Sequence, residues 1–244
     1  MQDIIRLDLG GVNAYLLKKE EKFVLVDTGG HMFLDKVLDK VLDNRRDRLK
    51  KGLAEHGVTR DNLAWVILTH GDIDHVCNAK YIKEEFGARI AMQEQDLALV
   101  KDPPADCYRW NAHYRSIVMN LVFRLMDRKL AKLMGHIYEK FESFEPDCFL
   151  KDGDSMEKFG MEGKILGLPG HTPGSLGIIW GDGQLIAGDI LANLSKPSQG
   201  VNAQDFKQML ESVDKIRNHN VSMVYPGHGK PFRMELLGGK QRAI

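Results

Sequence analysis

The segment Trp65-Val-Ile-Leu-Thr69 is a compact apolar run that leads directly into His70-Gly-Asp-Ile-Asp-His75, and a helical pattern follows from Ala79 to Phe86. This arrangement constrains the fold more than any other stretch. Two imidazoles and two carboxylates fall within six residues at the end of a buried-strand candidate, followed by a helix. Neutral imidazole and carboxylate suit first-row divalent ions, and ligands packed this closely can reach two ions beside one strand end. One carboxylate here could cap the helix; all four groups could not.

Three more segments share the form of an apolar run ending in glycine and a possible ligand: Gly167-Leu-Pro-Gly-His171, Ile186-Ala-Gly-Asp189 and Tyr225-Pro-Gly-His228. Glycine at a strand end lets backbone and side chain approach an ion closely. Asn13 to Leu17 and Phe23 to Asp27 read as two further strands around a charged turn, the second ending in Asp27-Thr-Gly-Gly30. Apolar residues at Phe33, Leu34, Val37, Leu38, Val41 and Leu42 have helical spacing, with a charged turn or helix after Asn44. Lys164 to Leu168, Leu176 to Trp180, Gln184 to Gly188 and Val221 to Tyr225 read as strands, and Ala203 to Asn218 as a helix. From about Asp102 to Phe144 the character changes. Ile117, Val118, Leu121, Val122, Leu125 and Met126 form a stripe predicting one long helix or a helix pair, with a basic polar face of Arg115, Arg124, Arg128, Lys129 and Lys132. The stripe is expected to be packed and the charged face solvated.

Taken in order, Asp27-Thr-Gly, His70-x-Asp-x-Asp-His75, Gly170-His171-Thr-Pro-Gly, Gly188-Asp189 and Gly227-His228-Gly resemble the five motifs of the metallo-β-lactamase superfamily, and they span almost the whole chain. The resemblance implies an α/β fold, the four-layer αβ/βα sandwich, as one domain over 1–244 with a helical cap inserted at about 102–144. It implies two divalent ions: His70, Asp72 and His171 on the first, Asp74, His75 and His228 on the second, Asp189 bridging, and Asp27 supporting the site from behind. The family's usual second motif is His-x-His-x-Asp-His. Asp72 stands where the middle His belongs, which makes the first position harder and raises iron or manganese relative to zinc, or leaves a single ion.

The implied activity is a metal-dependent hydrolase in which a metal-bound hydroxide cleaves a small ester, lactone or thioester. Asp74 orients that nucleophile or carries a proton to the leaving group, and Tyr225 is a candidate hydrogen-bond donor to the oxyanion. A phosphodiesterase of the same fold and a di-iron redox protein acting with a partner are the alternatives, and a non-catalytic metal-stabilised binding protein is a third class. Lys plus Arg and Asp plus Glu both total 34, so overall charge draws no polyanion and a small-molecule substrate is expected rather than nucleic acid. No export signal and no run of roughly 18 apolar residues is read, so no membrane association is expected. Cys77, Cys107 and Cys148 form no Cys-x-x-Cys pair, which fits a reducing cytoplasm. A homodimer through the helical insertion is a further expectation.

Overall fold

The structure is a computed structural model that describes residues 2–31, 45–104, 106–110 and 113–238. The helix expected over 33–42 lies outside them. In the first half of the chain, strands β1 (Asp3–Asp8), β2 (Asn13–Lys19), β3 (Lys22–Val26), β4 (Leu63–Ile67), β5 (Arg89–Met92) and β6 (Cys148–Phe149) form one sheet in that order. The first three strands meander antiparallel, and β3 to β6 run parallel. In the second half, β7 (Lys164–Gly167), β8 (Leu176–Trp180), β9 (Gln184–Gly188), β12 (Met223–Pro226) and β13 (Phe232–Arg233) form a sheet ordered β13-β12-β9-β8-β7. The short pair β10 (Leu191–Asn193) and β11 (Pro197–Gln199) stands apart.

Strand alternation explains the layering. On β2 and β3, Ala14, Leu16 and Leu25 join a core with Leu49 and Leu53 of helix α1 (Arg46–Glu55) and Ile82 of helix α3 (Ala79–Phe86). The alternate residues Tyr15, Leu17, Val24 and Val26 meet Ile165, Leu176, Ile178 and Ile186 of the facing sheet. On the outer face of that second sheet, Leu166, Leu185 and Val224 pack on Met209, Val213 and Ile216 of helix α6 (Phe206–Arg217). Helix, sheet, sheet and helix give the expected four layers. Central strands buried on both faces are apolar without alternation, which is why Leu63 to Leu68 reads as one run.

The rim follows from the parallel strands. Asp27 comes directly after β3, Thr69 and His70 follow β4, and Gln93 to Asp96 follow β5, so all three exits open on one edge. The short helices α2 (Ile73–Val76) and α4 (Leu97–Lys101) begin there. Between β5 and its neighbour β6 the chain makes the 102–144 excursion, which carries helix α5 (Ile117–Glu139), capped where Ser116 Oγ accepts from Met119 N. The expected packed stripe needs correction. Leu130, Leu133, Met134 and Ile137 are buried, but Ile117 is 82% exposed and Leu125 77% exposed, because nothing among the described residues covers that face of the first half of the helix.

Candidate metal centre

Asp189 stands at the middle of the rim. Its Oδ1 lies 3.4 Å from His75 Nε2, and its Oδ2 lies 3.1 Å from His228 Nε2 and 3.8 Å from His171 Nε2. On one side, Asp72 Oδ2 is 3.0 Å from His171 Nε2 and 3.8 Å from His70 Nε2. On the other, Asp74 Oδ2 is 3.3 Å from His228 Nε2 and 3.9 Å from His75 Nε2. Three groups each bring ligand atoms within 4.8 Å of one another: His70, Asp72 and His171; Asp74, His75 and His228; and His70, His75 and Asp189.

The imidazoles are aimed by their other nitrogens. His171 Nδ1 is 3.1 Å from the Asn202 carbonyl and His228 Nδ1 is 2.7 Å from the Gly11 carbonyl; a carbonyl only accepts, so each Nδ1 carries the proton. His75 Nδ1 lies 2.8 Å from Asp27 Oδ2. Thr69 Oγ1 donates to the same carboxylate at 2.8 Å, which leaves it to accept from His70 Nδ1 at 2.9 Å. In all four rings Nε2 is therefore the nitrogen turned to the centre, where it offers a lone pair to an ion once any proton it carries is displaced. Asp27 holds this relay with φ at 62°, a left-handed conformation uncommon outside glycine, and its Oδ1 accepts from Thr69 N. Gly227 is required beside it, since a Cβ there would lie 2.1 Å from Asp189 Oδ1 and 2.7 Å from His75 Cε1.

Protonation shows how strongly this centre attracts cations. Burial pushes the His75 and His228 pKa values down, but Asp189 and the neighbouring carboxylates outweigh it and hold both well above the usual imidazole value. The same contest, with Asp72 as the main partner, brings His171 up to about 9. His70, with burial and the His75 and His171 charges acting together, is lowered well below the ordinary value. Asp189 is held well below the carboxylate range by His228 and His75 against the burial that would raise it. His70 Nε2, His75 Nε2 and Asp189 Oδ1 are buried with no hydrogen-bond partner. Burying unpaired polar atoms is costly, and donors of this chemistry aimed at a common point fit divalent cations.

Two residues alter the sequence-level picture. Asp96 is fully buried and joins two loops: its Oδ2 accepts from Gly71 N at 2.8 Å and from Thr172 Oγ1 at 2.6 Å, and its Oδ1 accepts from Gly174 N at 2.8 Å. It thereby ties the His70 loop to the His171 loop, and no sequence signal marked it, because the strand that precedes it is only four residues long. Tyr225 is the correction. Its hydroxyl donates to Gln184 Oε1 at 2.8 Å, and its ring stacks on Trp180 and meets Tyr15 edge-on, inside the core between the sheets and away from the centre. Strand alternation turns it inward, so it is no oxyanion donor. Cys77 is a buried thiol raised to about 12 by burial, not a member of any of the three groups.

A family model described as the metallo-β-lactamase superfamily matches residues 7–228. The hydroxyacylglutathione hydrolase GloC of Haemophilus influenzae is 29% identical over 173 residues, 69% of this chain and 69% of that protein. A hydroxyacylglutathione hydrolase of Vibrio campbellii is 42% identical over 69 residues, 28% of this chain and 25% of its own length. Among solved structures, a metallo-β-lactamase family protein of Thermus thermophilus superposes with a TM-score of 0.67 at 24% identity, covering 94% of this chain and 74% of that one.

Proposed function

We propose, from the premise that the chain belongs to the metallo-β-lactamase superfamily, that it is a metal-dependent hydrolase of a small acyl compound, with thioesters ahead of esters and lactones. The observation that carries this reading is the convergence of four Nε2 atoms around Asp189, with His70 Nε2, His75 Nε2 and Asp189 Oδ1 buried and without a hydrogen-bond partner. The resemblance in sequence to two hydroxyacylglutathione hydrolases favours the thioester.

The residues fall into two sets. His70, Asp72 and His171 would hold one ion and Asp74, His75 and His228 a second, with Asp189 reaching both and Asp27 orienting His75 from behind. Two such ions, when bound, would supply an activated water at neutral pH and polarise the acyl carbonyl. Asp72 still reaches the centre, so the altered motif keeps a ligand there, of a harder kind that favours iron or manganese over zinc. Asp74, partly exposed and beside His228, is placed to take the proton from the attacking water and deliver it to the leaving group. In a thioester the carbonyl carbon gains the water oxygen, the carbon–sulfur bond breaks, and the sulfur leaves as a thiol.

No helix among the described residues is long and apolar enough to cross a membrane. Cys77, Cys107 and Cys148 are free thiols, which fits a reducing compartment. The test is metal analysis of protein purified without chelators, then turnover of thioesters, esters, lactones and phosphodiesters with zinc, iron or manganese. Metal content near two with thioester or ester cleavage is expected. Fully loaded protein that cleaves only phosphodiesters, or consumes oxygen without hydrolysis, overturns the proposal.

A further inference from the structure

Beside the metal centre the chain forms a cavity of about 870 Å³, with Asp72, Asp74, His171, Asp189 and His228 at one end. Elsewhere its wall is mainly apolar, with Tyr108, Tyr114, Ser116, Ser198, Gln199 and Asn202 set into it. Ile73 and Leu99 rise from the rim, and α5 contributes one pair near its start, Met119 and Phe123, and one near its end, Met134 and Ile137, on the same side of the helix. The α5 residues cross from the exposed half of the helix to the buried half, so the apolar wall runs along the cavity rather than forming a patch. Cys107 and Tyr138 also line it, and burial lifts the Cys107 thiol to about 11.

Charge decides between occupants. Of all the lysines and arginines among the described residues, Arg115 alone lines this cavity, and its guanidinium donates to Gln199 Oε1 at 2.6 Å. A glutathione moiety carries two carboxylates and an ammonium group, and away from the metal centre Arg115 is the one charged lysine or arginine among neutral tyrosine, serine and amide groups and a larger apolar surface, so most of that charge would be desolvated without a counter-charge. An uncharged chain of methylenes loses water there and gains contact. Resting on the hydrolase reading above, we infer that the substrate is an acyl compound with an extended, uncharged aliphatic chain, its carbonyl at the Asp189 end and its chain lying against α5. Met119 and Phe123 set the chain-length preference.

The experiment uses the full metal-loaded chain and a series of p-nitrophenyl esters from acetate through butyrate, hexanoate and octanoate to decanoate, with hydroxyacylglutathione beside them. The kcat/KM is expected to climb roughly threefold per added methylene until the cavity is filled, and hydroxyacylglutathione is expected to fall below the longer esters. A second readout does not depend on turnover: decanoate, but not acetate, should displace an environment-sensitive apolar dye from the protein. Phe123→Asp should flatten the chain-length slope and weaken decanoate; if that variant misfolds, the milder Met119→Gln should lower the slope. Equal rates for acetate and decanoate with no dye displacement overturn the inference and leave hydrolysis standing. Dye displacement by decanoate with no cleavage of any ester or thioester does the reverse, sinking the hydrolase reading while the apolar cavity survives.

Discussion

The rim and the α5 excursion lie side by side on one cavity and are built on opposite plans. At the rim, side chains from segments as distant as Asp27 and His228 are locked by partners: Asp27 on His75, Thr69 on His70, backbone carbonyls on His171 and His228, and Asp96 across two loops. The first half of α5 is held instead by scattered contacts, such as Arg109 with Asp127, Arg115 with Gln199 and the bridge between Tyr114 and Asn202, while Ile117, Val118, Leu121 and Leu125 face outward. Fixed chemistry needs ligands positioned to a fraction of an ångström, whereas a substrate wall needs only the right character and shape. This division allows the wall to change without disturbing the metal centre.

The sharpest way to break the comparison is at the centre of the rim. Asp189→Ala should remove metal and activity together, to below roughly a hundredth of wild type, a larger loss than the 10–100-fold typical of groups that only orient ligands. Metal content by mass spectrometry and turnover on the same preparation check this, with circular dichroism reporting the fold. Retained metal with full activity would show that Asp189 bridges nothing. Asp96→Asn comes next. An amide offers a single acceptor oxygen to three donors, so metal affinity should drop about 10–100-fold, measured by competition with a chromogenic chelator. Unchanged affinity would mean that the two loops hold their positions without this carboxylate.

These two residues also show what a linear reading can reach. His70 to His75 was legible because its ligands are neighbours, and His171, Asp189 and His228 because each follows an apolar run and a glycine. Asp96 was not, since its partners Gly71, Thr172 and Gly174 meet it only once both sheets are in place. Tyr225 misled by closeness to His228: one strand residue faces the intersheet core, while the Pro-Gly turn carries the histidine to the rim. In α5 the period announced a helix but not which half is covered, because coverage depends on what lies opposite. Layer order was accessible from the strand and helix sequence; β1 and β5 were not read, and β6, β10, β11 and β13, of two or three residues, are too short to declare themselves by pattern.

Proton linkage sharpens the contrast from another side, because titration of the rim should move metal-free and metal-loaded protein in opposite directions. His171 is raised to about 9, and His75 and His228 are raised as well. A raised imidazole contributes stability that is fully present below its unfolded value near 6.5 and lost as pH rises through its folded value. His70, lowered and neutral, adds nothing to this trend above pH 6.5. The metal-free protein should therefore melt at progressively lower temperature between about pH 6.5 and 9. Ions must displace the same protons, so apparent metal affinity should increase by about tenfold per pH unit for each proton released. Calorimetry in two buffers of different ionisation enthalpy counts those protons, and zero release would contradict the protonated resting state.

The smallest effect belongs to the exposed half of α5, and its smallness is the point. Leu133 is buried, and Leu133→Ala should cost about 2–5 kcal/mol in urea unfolding. Leu121→Ser with Leu125→Ser, on residues 57% and 77% exposed, should stay within about 0.5 kcal/mol per site of wild type, since surface positions away from caps and cores contribute little. The two results together test whether one helix carries a structural half and a free half. A loss of several kcal/mol from the double serine variant, with elution shifted from dimer to monomer, would mean that the stripe is covered in solution by a second copy, as the expected homodimer requires. In that case the apolar face of α5 belongs to the assembly. Unchanged stability and unchanged elution leave that face open to solvent, on the side of the helix turned away from the cavity-lining Met119 and Phe123.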